Sequence, residues 1–181
     1  MRLIALSIAL LMSSACVAPV VSPRSYLDEE TAATVTTVAQ PWIFTGEQVA
    51  FAAKDGDYLD LFALDVNRMG AHRQYLAILV STPPQAVSSN PLTLELTGGG
   101  QSVSLQPTTD TARLLGISKP LAPSYSTTAR WWYFPVGKEI FATVVRSPDL
   151  TATLVVGGER VRFTTWRDGS ADVDKFNAAL P

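Results

Sequence analysis

Residues 57–82 decide the fold of this chain and read DYLDLFALDVNRMGAHRQYLAILVST. Two apolar runs, residues 57–67 and 72–82, are separated by a short link that includes Gly70, which tolerates positive φ. Apolar side chains occupy both faces of each run, a pattern typical of strands that lie under a covering layer. The stretch therefore predicts an antiparallel hairpin at the centre of a sheet.

Shorter strand patterns flank this hairpin on both sides. They fall at residues 31–39, 42–44, 92–97, 101–106, 127–136, 139–146, 150–156 and 160–166. Their Thr, Val and aromatic residues suit a pleated, half-buried surface, and the glycines at 98–100 and 157–158 supply tight hairpin turns. Residues 107–126 form the longest irregular stretch, and long loops of compact domains often carry function.

A single helix is predicted at the end of the sequence. Ser170 begins it, with a hydroxyl that can cap the first turn. Val173, Phe176 and Leu180 share one apolar face that can pack on the sheet. The predicted fold class is therefore mainly β, an antiparallel β-sandwich or related barrel with a short C-terminal α-helix.

The first residues have the pattern of an export signal. Arg2 precedes the apolar residues 3–12, small residues follow at 13–15, and the only cysteine of the chain comes next as Cys16. This order predicts a secretory signal. The apolar run is too short for a stable transmembrane helix, which needs about 20 residues.

The position of Cys16 resembles the bacterial lipoprotein signal, in which the cysteine becomes the lipid-modified first residue of the mature protein. The pattern departs from that family at Ser13, where leucine is preferred. The resemblance implies a lipid such as palmitate at Cys16. Because Val17 rather than Asp follows the cysteine, it also implies an outer-membrane location facing the periplasm. The alternative is an ordinary signal peptide cleaved near Ala15, with no role for the thiol.

The predicted domain organisation follows from these patterns. Residues 1–15 are the signal peptide, and residues 16–25 are the lipidated N-terminus and a tether in which prolines favour an extended chain. Residues 26–181 form a single β-rich domain. Within it, residues 26–37 are similar to uncharacterised envelope lipoproteins of Gram-negative bacteria, a resemblance that implies no activity.

The composition of the chain argues against several classes of ligand and binding partner. The 181 residues carry a net charge of −2 and no basic tract, so no nucleic-acid partner is expected. Asp55, Asp57 and Asp60 are close in sequence, but they lack EF-hand spacing and are better explained by a turn. With one histidine, and Cys16 assigned to lipid, zinc is disfavoured. The sequence predicts no metal and no cofactor.

Residues 131–134, Trp-Trp-Tyr-Phe, are the most distinctive local feature. Alternation in a strand places Trp131 and Tyr133 on one face and Trp132 and Phe134 on the other. One pair is expected to fill the core. The other is either covered as well or exposed as an aromatic platform for a sugar ring, a peptide or a partner protein.

Arg160 and Arg162 form the second candidate binding pair. They share one face of a predicted strand and could bind an anionic group such as a lipid phosphate or a cell-wall carboxylate. The alternative is that they belong to the solvated face of an amphipathic strand.

No catalytic set is recognised, so we predict that the protein is not an enzyme. His72 is the only histidine, and a Ser-His-Asp triad would need it. The short turn places Asn67 nearer to His72 than Asp65, and no G-x-S-x-G motif supplies a nucleophile.

Three functions are compatible with these observations. The leading hypothesis is a non-enzymatic, membrane-anchored envelope lipoprotein that acts as a structural or partner-binding module on an envelope protein or the cell wall. The second is a glycan- or peptidoglycan-binding protein that uses the aromatic face or residues 107–126. The third is a hydrolase with an unrecognised carboxylate site, although alternation places Asp60 and Asp65 on opposite faces of their strand.

Overall fold

In the computed structural model, residues 22–46, 57–81, 92–124 and 126–181 are described. Within them, ten strands form one antiparallel sheet. The strands are β1 (Arg24–Asp28), β2 (Ala33–Thr37), β3 (Trp42–Gly46), β4 (Tyr58–Arg68), β5 (Ala71–Val80), β6 (Leu92–Gly98), β7 (Gln101–Leu105), β8 (Arg130–Pro135), β9 (Thr151–Val156) and β10 (Glu159–Arg167). The sheet curls into a half-barrel. The predicted mainly β, antiparallel fold with a C-terminal helix is therefore confirmed.

The predicted central hairpin is the middle of this sheet. β4 pairs with β5 over its whole length, with Asn67 opposite His72. Met69 and Gly70 form the turn with φ of 54° and 87°, the left-handed geometry that matches the twist of a tight hairpin. β2 and β3 lie end to end along the other edge of β4.

The remaining strands extend the sheet outward from this centre. β10, β9, β6 and β7 follow β3 in that order, β8 pairs with the free edge of β5, and β1 pairs with β2. The chain leaving β7 approaches β8 again, where the backbone N–H of Thr108 donates to the carbonyl of Tyr133 at 2.8 Å. This contact joins the segment that follows β7 to β8, the strand at the other end of the sheet.

Register divides the side chains between two faces. One face, called here the core face, carries Trp42 and Leu61, and continues through Ile78 to Trp132. The opposite face, called the covered face, carries Phe62, which aligns through β5 with Tyr133. Phe62 and Tyr133 are both buried, so two layers cover the sheet, as its two-sided apolar strands require.

Helices cover the core face. They are α2 (Lys138–Ile140), a π-helix (Phe141–Val145) and α3 (Ser170–Ala179). The indole N–H of Trp42 donates to the carbonyl of Val145 at 3.1 Å, and Phe141 packs edge-to-face on Phe176 at 5.2 Å. These contacts fasten the helices to each other and to the sheet.

The strand predicted at residues 139–146 is wrong, because this segment is helical. Its buried residues are Phe141, Val144 and Val145, which are spaced i, i+3 and i+4 and so share one helical face. The β-branched residues favoured a strand by propensity, but tertiary packing of that face decides the conformation.

The C-terminal helix begins at Ser170 as predicted, but its cap differs. No side chain caps the helix at Gly169. Instead, the Asp168 carboxylate accepts a hydrogen bond from the backbone N–H of Ser170 at 2.7 Å. Val173 and Phe176 are buried, so the predicted apolar face packs inward. None of the helices in the described part of the chain is long and apolar enough to cross a bilayer.

Residues 107–124, called here the covering segment, lie over the covered face. They contain the short helix α1 (Ala112–Leu115), which the sequence did not predict. Gly116, with φ of 104°, passes so close to the sheet that an added Cβ would lie 2.9 Å from Val66 and 3.0 Å from Ala33. Only glycine combines this conformation with such a close approach.

The N-terminal predictions lie largely outside the described residues. The signal peptide, Cys16 and most of the tether fall within residues 1–21, which are not described. β1 starts at Arg24, two residues before the predicted start of the β-rich domain.

Candidate functional site

A cleft of about 310 Å³ lies between the covering segment and β8. Its lining combines three aromatic residues with hydroxyl and charged side chains: Trp131, Trp132, Tyr133, Thr108, Thr111, Ser118, Asp110 and Lys119, together with Ala112, Ile117 and Pro120. An aromatic wall with a few polar groups is typical of small-molecule sites. The structure therefore brings together two features that the sequence had singled out separately, the aromatic strand and the irregular loop.

Trp131 forms the aromatic wall of the cleft. Its ring stacks on Tyr133, with centroids 6.3 Å apart and planes within 16°, and it also contacts Phe62 at 5.4 Å. Trp131 is nevertheless half-buried, whereas Phe62 is buried. Packing on one side fixes the indole while part of it faces the cleft.

Tyr133 supplies a polar group in the lining of the same cleft. Its side chain is 7% exposed, and no hydrogen bond joins its hydroxyl to any described residue. Burial, with a further contribution from nearby Tyr26, raises the pKa of Tyr133 to about 12. The phenol is therefore protonated at physiological pH and can donate a hydrogen bond to a ligand.

Asp28 positions the wall of the cleft opposite β8. One carboxylate oxygen accepts hydrogen bonds from the backbone N–H and the hydroxyl of Ser118 at 2.7 and 2.8 Å. The other accepts from the backbone N–H groups of Thr31 and Glu30 at 3.1 and 3.2 Å. Burial alone would raise the pKa of Asp28, but the hydrogen bonds from Ser118 and Thr31 outweigh it and lower the pKa to about 2.

The second half of the aromatic stretch faces the core. Phe134 is fully buried on the core face, and Trp132 on that face is half-buried at the end of the sheet. On the core face, Phe134 is part of the core and Trp132 packs against it. The pair on the other face, Trp131 and Tyr133, is associated with the cleft. Because Trp132 also reaches the rim of the cleft, the whole Trp-Trp dipeptide borders the site.

Arg160 and Arg162 lie away from the cleft, on β10, which is separated from β8 by β3, β4 and β5. The guanidinium of Arg160 makes a two-pronged ion pair with Glu95. Arg162, two residues further along the same strand, is exposed. The structure does not bring these arginines together with Trp131 and Tyr133.

The side chains of His72 and Asp65 are closer together than the sequence predicted. Asn67 is the backbone partner of His72, but His72 Nδ1 lies 2.7 Å from an Asp65 carboxylate oxygen. A long side chain reaches its diagonal neighbour across an antiparallel pair. The other Asp65 oxygen accepts from the Gln74 amide at 2.7 Å, and no described Ser or Thr donates to His72. The arrangement binds β4 to β5 and lacks a nucleophile.

The acidic residues do not converge on a metal or catalytic site in the described part of the chain. Among those residues, no three His, Cys, Asp or Glu side chains are grouped to hold a metal ion. Asp55 lies outside the described residues, and Asp57 is half-buried. Asp60 lies on the covered face and Asp65 on the core face, as strand alternation predicts.

Asp60 has an unusual environment for a carboxylate. It is 2% exposed, and neither of its oxygens has a hydrogen-bond partner. Burial raises the pKa of Asp60 to about 6, although the positive charge of Arg167 opposes the shift. Its cross-strand neighbours Ile43 and Leu79 are both apolar, so the carboxyl lies largely among apolar side chains, with Arg167 as the nearby charge.

The chain matches no protein-family model, no curated protein and no solved structure. The site must therefore be interpreted from its own chemistry.

Proposed function

We propose that the protein is a non-enzymatic, lipid-anchored lipoprotein of the outer membrane that binds cell-wall glycan in the cleft beside Trp131. The half-buried Trp131 ring, held on one side by Tyr133 and Phe62, carries this proposal. An aromatic face fixed in this way offers a flat apolar surface to a sugar ring. The hydroxyl and charged groups around it provide partners for sugar hydroxyls.

The anchor is supported by the order of residues at the N-terminus. A charge, a short apolar run, small residues and Cys16 follow one another as in bacterial lipoproteins. The mature chain would then face the periplasm. Residues 17–23 separate the cysteine from β1, and an extended chain spans about 3.1 Å per residue. With such a tether, the anchored domain would be within reach of a partner in the envelope.

Cys16→Ser is expected to abolish incorporation of fatty acid into the protein, because the thiol is the proposed attachment point. Cells fed an alkyne-tagged palmitate analogue provide the measurement, with the tag read on the purified chain. Ser13→Leu, which restores the preferred residue of the signal, serves as the matched control and should keep or increase labelling. Equal labelling of native chain and Cys16→Ser, or none in the native chain, would contradict the anchor.

Trp131→Ala is expected to weaken binding to purified cell-wall sacculi by about tenfold, because it removes the stacking surface. Co-sedimentation of the full-length chain in mild detergent measures the binding. Trp166→Ala is the matched control: Trp166 is 69% exposed on β10, outside the cleft lining, and should bind like the native chain. Equal binding by native chain and Trp131→Ala, with both folded by thermal melt, would reject the cleft as the glycan site.

A protein partner is the second candidate, and a different surface favours it. Met69 at the β4–β5 turn is fully exposed and Leu114 of α1 is 64% exposed. The segments that carry them are in contact, because the Arg68 guanidinium donates to the carbonyl of Leu114 at 3.0 Å. Exposed apolar residues grouped at one end of a domain are typical of interaction sites. A cross-link to a partner protein that is lost in Met69→Ser but retained in Trp131→Ala would favour this candidate.

A further inference from the structure

Two adjoining hollows meet at Trp131. The cleft already described occupies about 310 Å³, and a second hollow of about 510 Å³ is lined by residues 120–124, Ala129 and Trp131. Pro120 and Trp131 belong to both linings. The two hollows therefore adjoin at Pro120 and Trp131 and together form one groove.

Each hollow lies within the roughly 300–1,000 Å³ range of small-molecule sites. A groove made of two such hollows suits a ligand built from repeated units better than a single compact molecule. The lining also differs along the groove. Tyr133, Asp110 and Lys119 are in the first hollow, while the second is lined mainly by proline, alanine and leucine side chains.

A peptide strand is the less favourable occupant of this groove. Extended peptides commonly add to the free edge of a sheet through backbone hydrogen bonds. On β8, the carbonyl of Tyr133 already accepts the backbone N–H of Thr108. The covering segment thus occupies the backbone position that an added strand would need.

The proposal concerns the length of the ligand and its main polar contact, and it rests on the proposed glycan-binding function. We propose that the groove holds a linear chain of N-acetylated sugars, with one unit in each hollow beside the Trp131 indole and the Tyr133 hydroxyl donating to an oxygen of the unit in the first hollow. The hydroxyl of Tyr133 has no partner in the described residues and is not among their fully buried unpaired atoms, so it can gain a partner from the ligand. An acetamido carbonyl is a strong acceptor for such a donor.

Affinity for N-acetylglucosamine oligomers of increasing length tests the two-hollow groove. The measurement is isothermal titration of the full-length chain in detergent, with the monosaccharide, disaccharide and tetrasaccharide as probes. We expect the tetrasaccharide to bind at least tenfold more tightly than the monosaccharide. Ala129→Phe fills the second hollow only. It should remove the gain in affinity with ligand length.

Tyr133→Phe tests the hydrogen bond separately. The hydroxyl has no partner among the described residues, so its loss should leave the melting temperature unchanged. Every oligomer is expected to bind about fivefold more weakly, the scale of one lost hydrogen bond. A purely structural role for Tyr133 would lower the melting temperature and leave affinity unaltered.

The outcomes separate the two proposals. Equal affinity for the monosaccharide and the tetrasaccharide would overturn the two-hollow groove, while measurable binding would keep glycan recognition. Unaltered affinity in Tyr133→Phe would overturn the proposed hydrogen bond. Binding of neither the oligomers nor sacculi would overturn the proposed function together with this inference.

Discussion

Asp60→Leu is expected to stabilise the protein by about 3 kcal/mol at pH 7.5. Folding places this carboxyl in an apolar layer where neither oxygen has a hydrogen-bond partner. Burial raises its pKa from 3.8 to about 6, and each unit of such a shift corresponds to about 1.4 kcal/mol of differential stability. Leucine removes the buried charge and replaces it with an apolar side chain.

The stabilisation expected from Asp60→Leu depends on pH, because the ionisation of Asp60 differs between the folded and the unfolded chain. Below about pH 3, Asp60 is protonated in both the folded and the unfolded chain, so its charge costs nothing. As pH rises through 3.8, the unfolded chain ionises first, and the penalty grows until the folded group also ionises near pH 6. The advantage of Asp60→Leu should therefore be largest above pH 6 and smallest below about pH 3.

Urea denaturation at pH 4.5 and at pH 7.5 measures this effect. Asp65→Leu is the matched control, because Asp65 is equally buried on the same strand but accepts hydrogen bonds from Gln74 and contacts His72. That substitution leaves those polar groups without a partner and should destabilise the fold. A loss of stability in Asp60→Leu at pH 7.5 would show that this carboxylate has a favourable role.

Asp28→Ala is expected to destabilise the protein by about 3 kcal/mol and also to weaken glycan binding. The substitution removes an acceptor that holds Ser118 and Thr31 at 2.7–3.1 Å. Ser118 and Ile117 line the cleft, so freeing this part of the covering segment loosens a wall of the site. Trp131 on the opposite wall keeps its own contacts.

The contribution of Asp28 to stability also depends on pH. Ionised Asp28 stabilises the folded chain, whereas ionised Asp60 destabilises it. The hydrogen bonds hold its pKa at about 2 in the folded chain. Its contribution is therefore fully present above the pKa of the unfolded group, near 3.9, and is lost as pH falls towards 2. Native chain and Asp28→Ala should differ most in denaturant midpoint at neutral pH.

Asp28→Asn is the matched variant for this measurement. The amide keeps the shape of the side chain and one acceptor oxygen, so its stability and its affinity for the tetrasaccharide should fall between those of the other two chains. Equal midpoints for native chain and Asp28→Ala at neutral pH would contradict the proposed role of the carboxylate in holding the covering segment.

The sequence predicted the parts of the fold that depend on local patterns. The central hairpin has alternating apolar residues on two faces and a turn at Gly70, and both signals are contained within one short stretch. The face shared by Trp131 and Tyr133 follows from strand alternation alone. The helical residues 139–146 were predicted wrongly because β propensity and helical spacing conflict there.

The cleft depends on contacts that no local pattern encodes. Asp28 and Ser118 are 90 residues apart, and their hydrogen bonds help to place the covering segment over the sheet. The sequence marked the aromatic strand and the irregular loop as candidates, but it gave no sign that they form one site. The pairing of His72 with Asp65 was missed for a related reason, since a diagonal side-chain contact is not visible in backbone register.

The proposed glycan site is tested most directly by the indole N–H signals of the full-length, ¹⁵N-labelled protein in detergent. The chain has four tryptophans, so each can be assigned by single substitution. On addition of N-acetylglucosamine tetrasaccharide, we predict that the signal of Trp131 moves most and that of adjacent Trp132 less. Trp42, whose N–H is bonded to Val145, and exposed Trp166 should stay in place. A tetrasaccharide that leaves Trp131 unmoved, or that moves Trp166 instead, would contradict the cleft as the binding site.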